Sequence, residues 1–152
     1  ASVYEDVAFG LRQRGVPEPQ VEARVQAALE AVGMAGEARS VSHHLSSGQK
    51  RRASLATVLV MQPEILLLDE PTNDLDPRGR RTLERVLEAC PQTMLVATHD
   101  LEFVLRVCQR VVLLDEGRLV ADGPVREVLS DAKLMDAHGL EVPASINHQP
   151  LR

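Results

Sequence analysis

Four large apolar residues occupy positions 65–68, and Pro63 and Pro71 stand on either side of this run. A short apolar run without alternating polar positions is typical of a strand that is buried on both faces inside a parallel sheet. Two carboxylates, Asp69 and Glu70, follow directly. Because open α/β sheets bind ligands beyond the carboxyl ends of their strands, the pattern predicts that both carboxylates lie in a crevice at the sheet edge.

The chemistry of this acidic pair suits a phosphate-handling site. A first carboxylate, Asp69, can hold a magnesium ion directly or through water, and a second, Glu70, can orient a nucleophilic water. The alternative is that an acidic pair merely ends a strand and begins a loop. The pair alone does not separate these two interpretations.

Apolar positions elsewhere recur at helical spacing. Residues 17–33 form the clearest case, with Pro17 at the start, Gly33 at the end and an apolar stripe between them. A short helix of one or two turns is predicted from Val3 to a stop at Gly10. Further helices are predicted over residues 45–61, 77–89, 101–107, 125–129 and 131–138.

Strand patterns fill the remaining segments. Residues 93–97 predict a second buried strand, and residues 110–115 and 118–123 predict a hairpin around a turn at Glu116 and Gly117. Prolines and polar residues from 143 to 152 are typical of a frayed tail.

Composition narrows the class of protein. The chain has 152 residues, of which 44% are hydrophobic and 26% charged, so it can build a sizeable core and is neither disordered nor a membrane span. A net charge of −5 gives no general reason to bind nucleic acid. The basic residues at 50–52 are interpreted as a solvated helix flank, and His43, His44, His138 and His148 as surface residues. Two cysteines without metal spacing favour a reducing, cytosolic setting.

The segment LSSGQ at residues 45–49 opens a predicted helix with small residues. Uncovered backbone N–H groups and the helix dipole favour an anion there, and a phosphate fits. The Ser46 hydroxyl and the Gly48 backbone are the groups expected to contact it. The alternative is an ordinary serine N-cap followed by glycine.

Two more polar segments follow the strands. The turn NDLD at residues 73–76 ends at Asp76, which together with Pro77 predicts a helix N-cap and first turn. The segment ATHD at residues 97–100 ends the second strand, and Asp100 is expected to cap the next helix. If the strands are neighbours, His99 lies beside the acidic pair and can hydrogen-bond a γ-phosphate.

These motifs, in this order, resemble the nucleotide-binding domain of ABC-type ATPases. LSSGQ looks like the ABC signature, ILLLDEPT at residues 65–72 the Walker B strand, NDLD the D-loop and THD the switch histidine. The resemblance implies ATP and Mg²⁺ as ligands, with Glu70 and His99 catalytic, Asp69 at the metal, and Ser46, Ser47, Gly48, Gln49 and Asp76 contacting nucleotide across a dimer. The family usually has glycine where Ser47 stands.

The same resemblance implies partners. A second ATP-binding subunit would complete a homo- or heterodimer, and a transmembrane permease would dock on the segment that contains Tyr4 and Phe9. The subunit would then lie peripherally on the cytoplasmic face of the cell membrane. No nucleic-acid partner is expected.

One family motif is absent from the sequence. No G-x-x-x-x-G-K-[ST] loop occurs, so the lysine and backbone cradle that hold the β- and γ-phosphates are missing. The expected fold is therefore α/β, an incomplete ABC-type P-loop NTPase domain without its phosphate-loop strand. Residues 1–61 are assigned to a helical subdomain, 62–142 to the ATPase core and 143–152 to a tail. We expect that the chain alone neither binds ATP tightly nor hydrolyses it.

Three functions compete. The first is the motor subunit of an importer, resembling the ATPases of cobalt, nickel and vitamin importers of the energy-coupling-factor type, on residues 3–10, 61–64 and 117–123. The second is a soluble ABC-type factor acting on ribosomes, since the motif LLLDEPTN occurs in that branch too. The third is a non-catalytic remnant, suggested by the absent phosphate loop. The first is preferred. Proteins of the second kind carry two domains joined by a long charged linker, and none is visible here. Against the third, Asp69, Glu70 and His99 retain their catalytic types.

Overall fold

The computed structural model describes residues 1–148. Two compact units divide the chain, one of residues 1–96 and one from residue 97 onward. The boundaries expected at residues 61 and 142 stay predictions. Helices and sheet together give the α/β architecture expected from the sequence. Within residues 1–148, no helix combines the length and the apolar character needed to cross a bilayer.

The first unit carries four α-helices, and its sheet pairs two strands. The helices are α1 (Val3–Gln13), α2 (Glu18–Ala31), α3 (Ser47–Leu59) and α4 (Pro77–Glu88), with short 3₁₀ turns at Ala35–Glu37 and Ser42–His44. Strands β1 (Ile65–Asp69) and β2 (Thr93–Ala97) pair in parallel, and the Thr93 N–H donates to the Glu64 carbonyl at 3.2 Å where they begin. The crossover α4 connects them, so both strands end at the same sheet edge.

Helix α1 is longer than expected. It passes through Gly10, which was predicted to stop it, and ends near Gly15, whose φ is +70°. A Cβ at Gly10 would lie only 2.8 Å from the Met61 sulfur. The glycine therefore allows close packing inside a continuous helix and does not act as a cap.

Helix α2 agrees with its prediction. Pro17 precedes it, Val21, Val25, Ala28 and Leu29 are buried along one face, and Gly33 follows with a φ of +66°. The apolar stripe packs α2 against both α1 and α3. These contacts build the helical part of the first unit.

Strand β1 is buried on one face only, so the prediction of two buried faces was wrong. Leu66 is 2% exposed, whereas Ile65 and Leu67 are 60% and 70% exposed. Leu95 of β2 is 65% exposed. Leu66 shares a cavity of about 170 Å³ with Leu55 of α3 and Leu83 of α4. The apolar run has the pattern of a strand buried on both faces. In the structure, α3 and α4 cover only one of those faces.

In the second unit, the described residues up to 148 form a hairpin and three α-helices. Its elements are α5 (Leu101–Val107), β3 (Arg110–Asp115), β4 (Arg118–Pro124), α6 (Val125–Ser130), α7 (Ala132–Ala137) and a 3₁₀ turn at Ala144–His148. The strands are antiparallel, with a register shift between Leu113 and Leu114. A core cluster of Val104, Val125, Leu129 and Met135 lies between the helices and one face of the hairpin.

Two expectations about this unit require correction. Pro143 is buried and residues 144–148 form a turn, so the segment is ordered where a frayed tail was predicted; residues 149–152 lie outside the described residues. His138 is not a plain surface residue, because its Nδ1 lies 2.7 Å from an Asp115 carboxylate oxygen. His43 and His44 are exposed as expected, and the His148 side chain falls outside the description.

Candidate functional site

The start of α3 is closed by a capping box. The Ser46 hydroxyl accepts the Gln49 N–H at 3.3 Å, and the Gln49 side-chain oxygen accepts the Ser46 N–H at 2.9 Å. Ser46 is therefore an N-cap, as the alternative interpretation expected. A hydroxyl that accepts one hydrogen bond can still donate its own hydrogen, so the cap and a phosphate contact are compatible.

The 73–76 turn lies directly beside this helix start. The Ser47 hydroxyl donates to the Asp74 carbonyl at 3.5 Å, a long contact. A Cβ at Gly48 would lie 3.9 Å from a Leu75 methyl group, which is ordinary van der Waals separation. The two motifs, 27 residues apart in sequence, thus form one surface of the first unit. This adjacency is independent of any ligand.

A groove of about 1220 Å³ opens at this surface. Its lining includes Ser46, Gly48, Asp74 and Asp76, together with parts of α2 and α4. Four arginines face it from three elements: Arg24, Arg52, Arg78 and Arg85. Within the described residues, the buried Arg52 Nε and Gln92 Oε1 atoms in this lining have no hydrogen-bond partner. Such atoms are satisfied by a polar ligand or by water. The Arg52 N–H needs an acceptor and the Gln92 oxygen needs a donor, so the groove suits a polar guest that offers both.

The acidic pair stands where β1 ends. Asp69 is exposed, and Glu70 is half-buried with a φ of +42°. This left-handed conformation is uncommon for a residue with a side chain and turns the chain sharply out of the strand. The Glu70 carbonyl accepts the Asn73 N–H at 3.2 Å, which closes the first turn of the loop.

Asp76 caps α4 as expected. Its Oδ1 accepts the Gly79 N–H at 2.7 Å, and Pro77 occupies the first helical position. A Cβ at position 79 would approach that same oxygen to 2.9 Å, so the glycine leaves room for the cap. Asp76 also lines the groove, which places its carboxylate at the cap and at the candidate site together.

His99 belongs to the second unit and is exposed. The Thr98 hydroxyl accepts the Asp100 N–H at 3.1 Å, and Asp100 in turn caps α5 by accepting the Phe103 N–H at 3.1 Å. These bonds fix the backbone on either side of the histidine. The approach of His99 to Asp69 and Glu70 stays a prediction.

One arginine has a contact that the sequence did not indicate. Arg51 is exposed, as expected for the solvated flank of a helix. Its guanidinium also donates to the backbone carbonyl of Glu70. It also lies 3.4 Å from the Asp69 carbonyl and 3.5 Å from the Pro71 carbonyl. The partners are 18 to 20 residues away in sequence, so no local pattern indicated the contact.

Tyr4 and Phe9 lie on α1. Tyr4 is half-buried beneath Arg12, whose guanidinium carbon is 5.8 Å from the ring centroid, and burial raises the pKa of Tyr4. Arg12 is held by ion pairs to Glu5 and Glu18. Phe9 is 63% exposed. An exposed aromatic such as Phe9 is a suitable anchor for a protein partner.

Asp69, at the end of β1, is the candidate carboxylate for a magnesium ion. Residues 1–148 contain no group of three or more His, Cys, Asp or Glu side chains that could hold a metal ion. Magnesium bound through one carboxylate, with water and substrate phosphates as its other ligands, does not require such a cluster. The exposed Asp69 carboxylate fits that mode of binding.

Comparison with known proteins decides the family. The model of the ABC transporter family matches residues 1–73. A Streptomyces coelicolor protein with a provisional name as an ABC transporter ATP-binding protein is 48% identical over 151 residues, covering 99% of this chain and 58% of its own. The chain belongs to the ABC transporter ATP-binding family.

Two further ABC relatives bear on the type of transporter. The energy-coupling factor transporter ATP-binding protein EcfA of Methanothermobacter thermautotrophicus is 41% identical over 145 residues, covering 93% of this chain and 47% of EcfA. The structure of cbiO1 from Clostridium perfringens, part of the ABC transporter complex cbiONQ, superposes with a TM-score of 0.79 at 36% identity, covering 97% of this chain and 61% of cbiO1. This chain spans about half to three-fifths of the length of these ABC relatives.

Proposed function

We propose that this chain is part of the ATP-hydrolysing subunit of an energy-coupling-factor importer that takes up a metal ion or a vitamin. The single observation that carries the proposal is the joint surface formed by the capped start of α3 and the 73–76 turn, directly after the Asp69 and Glu70 pair. Family membership and similarity to EcfA and cbiO1 support the same assignment.

Within this proposal, Glu70 is the general base. Its position at the end of a strand delivers a carboxylate to the sheet edge, where it orients the attacking water and takes up its proton. His99, which follows β2, donates a hydrogen bond to the γ-phosphate and so counters the negative charge that develops there. Glu70 follows β1 and His99 follows β2 in the sequence, and these two strands pair with each other.

The start of α3 serves the nucleotide held by a second copy or a related subunit. The Ser46 hydroxyl, the Gly48 backbone and the helix dipole all favour a phosphate. Ser47 and Gln49 complete this turn. Asp76, which lines the same groove, would couple it to the opposing ATP site. Asp69 would hold Mg²⁺, which neutralises phosphate charge when ATP is bound.

The permease would dock on α1. Phe9 is exposed and Tyr4 is fixed beneath Arg12, so the helix offers an aromatic contact at low conformational cost. The assembly would lie at the cytoplasmic face of the membrane and gain its membrane contact through the permease. Closure of two ATP-binding subunits on two nucleotides would then move the permease helices.

The test is Glu70→Gln in the full-length protein that contains this chain. We expect ATP binding to persist while turnover falls by about 100-fold or more, because glutamine keeps the shape but cannot accept the proton. Copurification of that variant with a membrane protein in the presence of ATP is expected. Undiminished turnover would remove Glu70 from its role, and copurification with ribosomes would favour the soluble alternative.

A further inference from the structure

Arg51 links two parts of the candidate site that the motifs treat as separate. It stands in α3, two residues after Gln49, which closes the capping box. One of its terminal nitrogens, Nη2, donates to the Glu70 carbonyl and lies 3.4 Å from the Asp69 carbonyl. Its Nε lies 3.5 Å from the Pro71 carbonyl. One guanidinium thus contacts the carbonyls of three successive residues at the end of β1.

The backbone at Glu70 needs such support. A non-glycine residue at a φ of +42° is strained and persists only when its surroundings hold it. The Glu70 carbonyl accepts from Arg51 and from the Asn73 N–H, so it receives one donor from α3 and one from its own loop. A charged donor to a backbone carbonyl is stronger than a neutral one, so the arginine supplies a strong contact from outside the loop.

Because α3 is a rigid helix, a displacement of its first turn also displaces Arg51. Arg51 and the capped first turn belong to the same helix, and a helix moves as a rigid element over so short a distance. A shift of the helix start therefore shifts the guanidinium and, through it, the Glu70 carbonyl. The carboxylate of Glu70 follows because side-chain direction is set by the backbone.

We propose that Arg51 is a positioning residue that couples the phosphate-facing start of α3 to the orientation of the Glu70 carboxylate. The inference rests on the proposed function of Glu70. In the proposed dimer, the α3 start contacts the nucleotide of the partner while Glu70 acts on the nucleotide of its own subunit. Arg51 would therefore connect the two ATP sites through a single side chain.

The experiment compares Arg51→Gln and Arg51→Lys with Lys50→Gln in the full-length protein. Lys50 is the exposed neighbour on the same helix and provides a charge-matched control. We expect Arg51→Gln to lower kcat for ATP by about 10- to 100-fold with KM almost unchanged, because a misoriented base affects the chemical step and not binding. Arg51→Lys should recover part of kcat, since one ammonium cannot span three carbonyls.

A double variant identifies the route of the effect. If Arg51 acts through Glu70, Arg51→Gln added to Glu70→Gln should lower turnover no further than Glu70→Gln alone. Additive losses would overturn the proposal, as would unchanged kcat in both Arg51 variants when Glu70→Gln is inactive. If Arg51→Gln does not fold, Arg51→Lys decides, and a kcat equal to that of the unmodified protein overturns the coupling. Full activity of Glu70→Gln would instead reject the proposed function itself.

Discussion

The carboxylate of Glu102 accepts the backbone N–H of Ser145 at 3.1 Å. This bond ties the first turn of α5 to the 144–148 turn within the second unit. Val142, just before this turn, and Ile146, within it, also pack against the core cluster of the second unit. The Glu102 contact spans 43 residues, so no local pattern indicated it.

Acid should release this contact. Hydrogen bonding from Ser145 lowers the pKa of Glu102, with burial opposing it. A lowered folded-state pKa stabilises the turn above the ordinary glutamate value of about 4.3, and the effect is lost as the pH falls through the depressed pKa. We expect hydrogen exchange at Ser145 of the full-length protein, corrected for intrinsic rates, to accelerate only below about pH 4.

The matched variants test the assignment. Glu102→Gln retains an acceptor without the charge and should remove the acid-dependent part of the protection. Glu127→Gln, at an exposed position on α6, should leave it unchanged. Protection at Ser145 that falls equally in both variants would argue against a role for the Glu102 contact.

Gly33→Ala should destabilise the protein by about 1 to 2 kcal/mol. Gly33 follows α2 with a φ of +66°, a conformation in which a Cβ crowds the backbone. Gly36→Ala is the control, because a Cβ at that position would have no neighbour within 4 Å and the φ of Gly36 is not left-handed. Urea unfolding measures both; equal midpoints for the two variants would contradict the argument.

Asp76 can be tested for its cap and its charge separately. Asp76→Ala removes the oxygen that accepts the Gly79 N–H and should lower the free energy of unfolding by about 0.5 to 2 kcal/mol. Asp76→Asn caps almost as well, so stability should be retained. If the charge contributes to communication between ATP sites, the asparagine variant will still reduce the Hill coefficient of ATP hydrolysis. An unchanged coefficient would confine Asp76 to its structural role.

Phe9→Ala should separate docking from folding. Phe9 is 63% exposed, so the free energy of unfolding should change by no more than about 0.5 kcal/mol. Permease binding, measured by copurification or by an affinity titration, should weaken by about tenfold or more if the ring is an anchor. Val7→Ala on the buried face of the same helix should instead destabilise by about 2 kcal/mol. Full permease binding by Phe9→Ala would exclude the ring as a contact.

Local features of the fold were predictable because their causes are local. The caps at Asp76 and Asp100 and the bounds of α5 follow from residues within one helical turn, and all agree with the structure. The burial of β1 was not predictable in the same way. The sequence shows which side chains are apolar enough to be buried. Whether they are buried depends on the packing of α3 and α4, which cover Leu66 but not Leu67.

In the candidate site, too, local features were predictable from the sequence and long-range contacts were not. The capping box at Ser46 is a pattern of four consecutive residues and could be recognised directly. The Arg51 contact to Glu70 and the His138 pair with Asp115 span 19 and 23 residues, so sequence order conceals them. Arg51 and His138 were assigned to the solvent-exposed surface because charged and titratable residues are usually exposed. Their partners emerge only when tertiary packing brings separate elements together.

The bare side of the β1 and β2 ribbon has a practical consequence for handling this polypeptide. Ile65, Leu67 and Leu95 present exposed aliphatic groups, and among residues 1–148 no third strand pairs with β1 or β2. Surfaces of this kind recruit one another, so a concentrated preparation of these 152 residues by themselves should form sedimenting multimers. Light scattering should rise with protein concentration and should fall in the Leu67→Lys variant. That result would assign the self-association to the exposed face of β1 and β2.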